Sequence, residues 1–267
     1  MDKRAPSIYG SQFRFRFRPY KKQMTIALVQ GGSKGIGFSL LKSIVKNPNL
    51  KAIVATGRSA ETFEKSCKEA SLLDSRLSFV RMDVTKENDI KDAAGFIKEK
   101  FGSDSIKWFI NSAAYLKPEK SLQQLDLTEI EKHFSTNIIG PMLVAKHFTP
   151  LLANPKKLKE AVVWANLSAK TGSIGENGLG GWHSYRITKA ALNQLTKTMS
   201  VELGRKGIQV LSLHPGTVDT TLSKEYIKNV QHEIFSPDKS AEMLYNIISK
   251  TDRNGVFLDY AGREIPW

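Results

Sequence analysis

Tyr185 and Lys189 stand four residues apart in the stretch Gly181-Trp182-His183-Ser184-Tyr185-Arg186-Ile187-Thr188-Lys189-Ala190-Ala191-Leu192-Asn193. On a helix that interval places both side chains on one face. A phenol has an unperturbed pKa of roughly 10 and exchanges protons poorly at neutral pH unless a nearby cation stabilises its anion. Lys189 is placed to be that cation. Taken alone, Tyr-x-x-x-Lys also describes many solvated helix surfaces, so the pair needs a second component beside it. Gln30-Gly31-Gly32-Ser33-Lys34-Gly35-Ile36-Gly37 offers one. Gly31, Gly35 and Gly37 permit a tight turn and close approach of a pyrophosphate to the backbone, at the start of a helix whose unpaired N–H groups attract anions.

The same turn has a rival reading. Gly31-x-Ser33-x-Gly35 matches the nucleophile elbow of an α/β-hydrolase, with Asp219 and His232 available as later acid and base. Two things stand against it: the turn follows the first strand, leaving no earlier sheet on which to mount an elbow, and Gly37 is idle in that scheme. A P-loop is excluded because no Gly-Lys-Ser/Thr closes the turn. About twenty residues further on, where an NAD-specific site carries an acid for the ribose 2′-hydroxyl, the second strand ends Ala55-Thr56-Gly57-Arg58 without one. Arg58, together with Lys34, suits a 2′-phosphate instead, which points to NADP(H).

The elements that must position these groups alternate. Apolar runs at Thr25–Val29, Ala52–Thr56, Leu77–Met82, Ile106–Ile110, Ala161–Leu167, Ile208–Leu213 and Val256–Leu258 predict strands. Helical periodicity appears at Gly35–Val45, Ala60–Ala70, Lys86–Phe101, His183–Leu203 and Asp238–Ser249. Leu122–Leu152 reads as helical with an interruption near Gly140-Pro141, and a loop is expected from the end of the sixth strand to Ser236. Short apolar strands separated by helices are the pattern of a parallel sheet covered on both faces. The expected fold is α/β, a single-domain doubly wound sheet of the Rossmann type over residues 24–267. Substrate selectivity is expected to reside in Asp219–Pro237 and Gly175–Trp182.

The chain has 267 residues and a net charge of +14, and seven Lys and Arg face Asp2 alone before residue 24. Phe13-Arg14-Phe15-Arg16-Phe17-Arg18 alternates aromatic and cation. Residues 1–23 are therefore read as a basic, aromatic extension: an arm that packs its Phe face on the domain or frays, or a transit leader, or a nucleic-acid contact; the first is preferred. One cysteine, Cys67, excludes an internal disulfide and a Cys-based zinc cluster. His183, His214 and His232 show no metal spacing. No apolar run approaches the roughly 18 residues of a membrane span. A soluble, cytoplasmic protein without membrane or nucleic-acid partners is expected, with organellar import through the extension as the alternative.

The glycine turn, Asp83, Asn111-Ser112-Ala113-Ala114, Asn137, Tyr185-x-x-x-Lys189 and Pro215-Gly216 occur in that order. From about residue 24 onward the chain thereby resembles the short-chain dehydrogenases/reductases. Gly172-Ser173-Ile174-Gly175 and the ending from Phe257 to Trp267 make it similar to the subgroup of sniffer carbonyl reductases and C-factor proteins. The resemblance implies that Tyr185 gives a proton to a carbonyl oxygen while its carbon takes hydride from NADPH, or the reverse with an alcohol. It implies further that Lys189 binds the nicotinamide ribose and lowers the Tyr185 pKa, and that Asn137 holds a water relaying protons to Lys189. Gly31, Ser33, Lys34, Gly35, Ile36 and Gly37 would hold the dinucleotide, Asp83 and Val84 would meet the adenine, and Asn111 and Ala113 would flank the cofactor. Pro215, Gly216 and Val218 would cover the nicotinamide, and Thr220 would contact phosphate or cap a helix beginning near Leu222.

One departure from the family pattern concerns the hydroxyl that polarises the carbonyl. The usual Asn-x-Ser-Ser is here Asn166-Leu167-Ser168-Ala169. Ser168 is the expected substitute, with Thr171 and Ser173 as competitors. The principal expectation is an enzyme acting on a small aldehyde, ketone or alcohol, as a homodimer or homotetramer, the assemblies common in the family. The missing serine motivates the alternative of a dinucleotide-binding signalling or scaffold protein with little turnover.

Overall fold

A computed structural model of the chain describes residues 25–227 and 233–267. The basic extension and His232 lie outside them. The elements run β1 (Ile26–Gln30), α1 (Gly35–Ile44), β2 (Ala52–Gly57), α2 (Ala60–Glu69), β3 (Leu77–Arg81), α3 (Glu87–Phe101) and β4 (Ile106–Asn111). They continue with α4 (Leu127–Phe134), α5 (Gly140–Phe148), α6 (Pro155–Leu158), β5 (Val162–Leu167), α7 (His183–Gly204) and β6 (Ile208–His214). The chain closes with β7 (Thr217–Val218), β8 (Ile234–Phe235), α8 (Pro237–Lys250) and β9 (Val256–Asp259).

The sheet has seven strands in the order β3-β2-β1-β4-β5-β6-β9, all pairings parallel. Every residue of β1, β2, β4 and β5 is buried, as strands covered on both faces must be. One face carries α3, α5 and α7, whose Ile90, Phe148 and Met199 share a core with Phe109 and Trp164. Those two aromatic rings stack with centroids 3.9 Å apart. The other face carries α1, α2 and α8 through Leu40, Phe63 and Leu244. The chain winds outward from β1 to β3, then crosses to β4 and winds the other way. The carboxyl ends of β1 and β4 are therefore the switch point where an open α/β sheet leaves a crevice.

Three expectations are refined or corrected. The interruption expected near Gly140-Pro141 takes the form of a π-helical turn over Ser135–Ile139, closed by Gly140 N–H donating to the Ser135 carbonyl. Pro141 explains it: without an N–H it cannot bond the Asn137 carbonyl four residues back, and its ring clashes there in an α-helix. Gly140 is needed at the same place, since a Cβ would lie 2.8 Å from the Val84 carbonyl oxygen. The loop after β6 contains β7, which pairs with β8; two-residue strands carry too little alternation to be read from sequence. Thr220 caps no helix near Leu222 but forms a turn, its N–H donating to Ser223 Oγ at 3.1 Å.

Candidate active site

At the end of β1 the chain turns with Gly31 at φ +80°, and the N–H groups of Gly31 and Gly32 donate to the Thr56 carbonyl at 2.9 and 3.0 Å. A Cβ on Gly31 would sit 2.6 Å from Ala113 N, and one on Gly37 2.3 Å from the Gly31 carbonyl oxygen. Gly37 is thus required by the turn itself, a requirement that a hydrolase elbow at Ser33 does not have. Helix α1 then begins at Gly35, its N-cap Lys34 offering no side-chain cap to the first amides, and has no acid in its first turn. Those amides open on a cleft of about 360 Å³. Gly31, Ser33, Lys34, Gly35, Ile36, Arg58, Asp83, Val84, Ala113, Ser168, Tyr185, Lys189, Pro215 and Thr220 line it, so most of the predicted residues converge.

Gly37, Asn111, Asn137, Gly216 and Val218, expected as cofactor contacts or, for Asn137, as the holder of a water, are not among the residues that line the cleft. They build its wall. Asn111 Nδ2 donates to Asn166 Oδ1 at 3.2 Å, joining β4 to β5. Gly216, at φ +82°, brings the backbone against Phe235, whose ring a Cβ would meet at 2.6 Å. Val218 is buried in the β7–β8 pair. Asn137 clamps Tyr115: its Oδ1 accepts the Tyr115 N–H at 2.7 Å and its Nδ2 donates to the Tyr115 carbonyl at 2.9 Å. The same Nδ2 reaches Thr188 Oγ1 at 3.1 Å, tying α7 to the wall.

Tyr185 and Lys189 share the inward face of α7, both buried. Burial pushes the phenol pKa up and brings the Lys189 ammonium down to about 8. The expected lowering of the Tyr185 pKa by Lys189 is therefore not what the geometry gives. Lys189 Nζ donates to the Leu167 carbonyl at 2.8 Å and lies 5.6 Å from the Tyr185 ring centre, and desolvation by burial is the cause of both shifts.

Of the three candidate hydroxyls, only Ser168 lines the cleft. Its Oγ has a long contact, 3.5 Å, to the Lys189 carbonyl, at the outer limit of a hydrogen bond. Ser173 is spent elsewhere: its Oγ donates to the Pro266 carbonyl at 2.5 Å and accepts the Glu176 N–H at 3.1 Å. Thr171 Oγ1 is buried without a hydrogen-bond partner among the described residues and does not reach the cleft.

Gln30, Tyr115 and His133, not singled out from the sequence, surround the cleft together with Trp182, which ends a segment expected to set substrate selectivity. Gln30 Oε1 accepts the Ala113 N–H at 3.1 Å. Tyr115 lines the cleft, its hydroxyl donating to Glu129 Oε2 at 2.5 Å, and burial with the adjacent carboxylate raises its pKa to about 12. Buried His133 packs edge-on to Tyr115 and Tyr185, and Trp182 packs edge-on to Tyr185 and Tyr226. Tyr115 follows the quoted Asn111–Ala114 run directly and was the one signal within reach. The His133 ring is placed only by tertiary packing.

The model of the short chain dehydrogenase family matches residues 25–231. The chain belongs to the short-chain dehydrogenases. Within that family it is 30% identical to an uncharacterized oxidoreductase of Schizosaccharomyces pombe, across 91% of this chain and 97% of the relative. Zerumbone synthase of Zingiber zerumbet is 30% identical across 76% of this chain and 72% of that enzyme. Among solved structures, the carbonyl reductase Sniffer of D. melanogaster superposes with a TM-score of 0.82 at 25% identity, covering 91% of this chain and 100% of that one. The NADPH-bound carbonyl reductase from chicken fatty liver superposes with a TM-score of 0.81 at 26% identity, covering 92% and 100%. As a short-chain dehydrogenase, the chain is an oxidoreductase with a Rossmann-type fold. No helix among the described residues is long and apolar enough to cross a membrane.

Proposed function

We propose that this short-chain dehydrogenase reduces the carbonyl of a small aldehyde or ketone, or oxidises the corresponding alcohol, using NADP(H) and Tyr185 as the proton donor or acceptor. The observation that carries the reading is the convergence of Tyr185, Lys189 and Ser168 on one cleft whose other end is an uncapped helix N-terminus. The donor set fits the dinucleotide: first-turn amides suit a pyrophosphate, and exposed Lys34 and Arg58, with no acid closing β2, suit a further phosphate. The NADPH bound by the chicken carbonyl reductase supports the same choice. When bound, the nicotinamide supplies or takes up hydride.

The remaining chemistry belongs to the chain. Ser168 Oγ is the hydroxyl available to hold the carbonyl oxygen, and charge developing on that oxygen strengthens the bond. Tyr185, kept protonated at neutral pH by burial, passes its phenolic proton to the oxygen, since an alkoxide is far more basic than a phenolate. Lys189, with a pKa of about 8, is cationic at neutral pH and stabilises the phenolate left behind. The place of Ser168 in the cleft favours turnover over a scaffold role. The decisive assay follows NADPH absorbance with a panel of aldehydes and ketones. Tyr185→Phe is expected to lower kcat by about three orders of magnitude, within the range for general acids, while NADPH still binds. Undiminished activity in that variant refutes the mechanism.

A further inference from the structure

Helix α7, which carries the catalytic pair, has an unusual beginning. Gly180, Gly181 and Trp182 take φ of +64°, +63° and +54°, three left-handed residues in succession, the last with a side chain that seldom accepts this conformation. Trp182 stands at the N-cap and offers no side-chain acceptor to the first amides of the helix, where Ser, Thr, Asp or Asn ordinarily provides one.

The acceptor comes from a distant segment. Glu119 lies between β4 and α4 and is only 5% exposed. Its backbone carbonyl accepts the Trp182 N–H at 2.6 Å. One carboxyl oxygen accepts the Ser184 N–H at 3.3 Å, and the other accepts the Ser184 hydroxyl. A single buried residue thus binds both the N-cap and the second residue of the helix, and Tyr185 is the next residue along. The segment that bears Glu119 also bears Tyr115, which Asn137 clamps by two hydrogen bonds. The connection between β4 and α4 is therefore anchored to the cleft wall at Tyr115 and to the catalytic helix at Glu119.

We infer that Glu119 is a positioning residue: it replaces the absent N-cap of α7 and, by fixing the first turn through Ser184, sets how Tyr185 meets the substrate oxygen. This rests on the proton-donor role proposed for Tyr185. Neither Lys189 nor the glycine turn touches Glu119, so cofactor affinity is not part of its task.

The test measures kcat, KM for NADPH, the solvent deuterium isotope effect on kcat and the melting temperature of the full chain. It uses Glu119→Ala, Glu119→Gln, Ser184→Ala and the Glu119→Ala/Ser184→Ala double variant, with Tyr185→Phe alongside. A misplacement of about 1 Å costs roughly a hundredfold in rate, so Glu119→Ala is expected to lose kcat on that scale, with KM for NADPH unchanged and a larger isotope effect as proton transfer becomes slow. Ser184→Ala loses about tenfold, and the double variant is no worse than Glu119→Ala because the two act through one contact. Glu119→Gln keeps an oxygen for the Ser184 N–H and an amide for its hydroxyl, and restores most of the rate.

If Glu119→Ala fails to fold, Ser184→Ala decides: normal kcat and isotope effect in that variant overturn the inference. A fall in melting temperature with kcat preserved in either single variant overturns it as well, since that is a purely structural role. Activity retained in Tyr185→Phe instead refutes the proton-donor reading on which the inference stands.

Discussion

At the end of the cleft where α1 begins, the geometry is carried by backbone. Gly31 and Gly37 approach Ala113 and each other so closely that a single added carbon has no room, and the groups offered to a ligand are amides. At the end where α7 presents Tyr185, the geometry is carried by buried side chains: Asn137 on Tyr115 and Thr188, Glu119 on Ser184, and Lys189 on the Leu167 carbonyl. The first construction depends on what is missing from a few residues. The second depends on hydrogen bonds between residues far apart in the chain, each of which a single substitution can remove while leaving a buried partner unsatisfied. Binding and chemistry should therefore be separable by mutation.

The largest separation is expected at the chemical end. Ser168→Ala should lower kcat by about two to three orders of magnitude, the usual cost of one oxyanion donor, with KM for NADPH unchanged, whereas Thr171→Ala should leave kcat alone. The opposite pattern would place the working hydroxyl on Thr171. At the backbone end, Gly31→Ala forces a residue with φ +80° and a contact of 2.6 Å to Ala113 N to rearrange. Displacing the turn by even 1 Å should cost roughly a hundredfold in kcat/KM, read as weaker NADPH binding in fluorescence titration. NADPH binding at wild-type affinity would show that the amides are not the phosphate site.

Arg58→Ala should weaken NADPH binding by about tenfold, the loss of a charge-assisted contact, and leave NADH binding unchanged. Equal losses for both cofactors would remove Arg58 from the 2′-phosphate. The smallest effect is a pH response. Lys189 is a cation below about pH 8, so the reductive rate should fall by about half between pH 7 and 8 as the cation is lost. Stability runs the other way. The unfolded lysine keeps its proton to about pH 10.4 while the folded one releases it near 8, so between those values the unfolded chain binds more protons and stability rises with pH. Rate and melting temperature moving in opposite directions would locate the titration on Lys189. A rate profile without an inflection near 8 would remove Lys189 from it.

The backbone end was the more legible in sequence, for the same reason that it is the more constrained. Glycine spacing after an apolar run encodes a turn directly, and Gly31, Gly35 and Ser33 lie where the spacing places them. Tyr185 and Lys189 were equally open to reading, because helical periodicity fixes their common face. Asn137 was identified as a residue but not by its contacts, since nothing local links it to Tyr115 or Thr188. Glu119 was passed over altogether: its partner Ser184 lies across the fold, and a lone glutamate in a connecting segment reads as a surface charge. The competition among Ser168, Thr171 and Ser173 could be narrowed only by seeing that Ser173 is tied to Pro266 and that Thr171 is not among the residues that line the cleft.

Pro141 is not among the residues that line the cleft, yet it decides which amide meets Tyr115 and Thr188. A π turn holds one residue more than an α turn in the same span, and each helical residue turns by about 100°. Were Pro141 replaced by alanine, the helix from Leu127 to Phe148 would be free to rewind into a single α register. Asn137 would then swing by more than a quarter turn relative to α5, carrying its amide away from Tyr115 and Thr188. One proline thus fixes the phase of a helix of more than twenty residues, and a change of that one ring would be felt as a lost hydrogen bond at Thr188, on the helix that carries Tyr185.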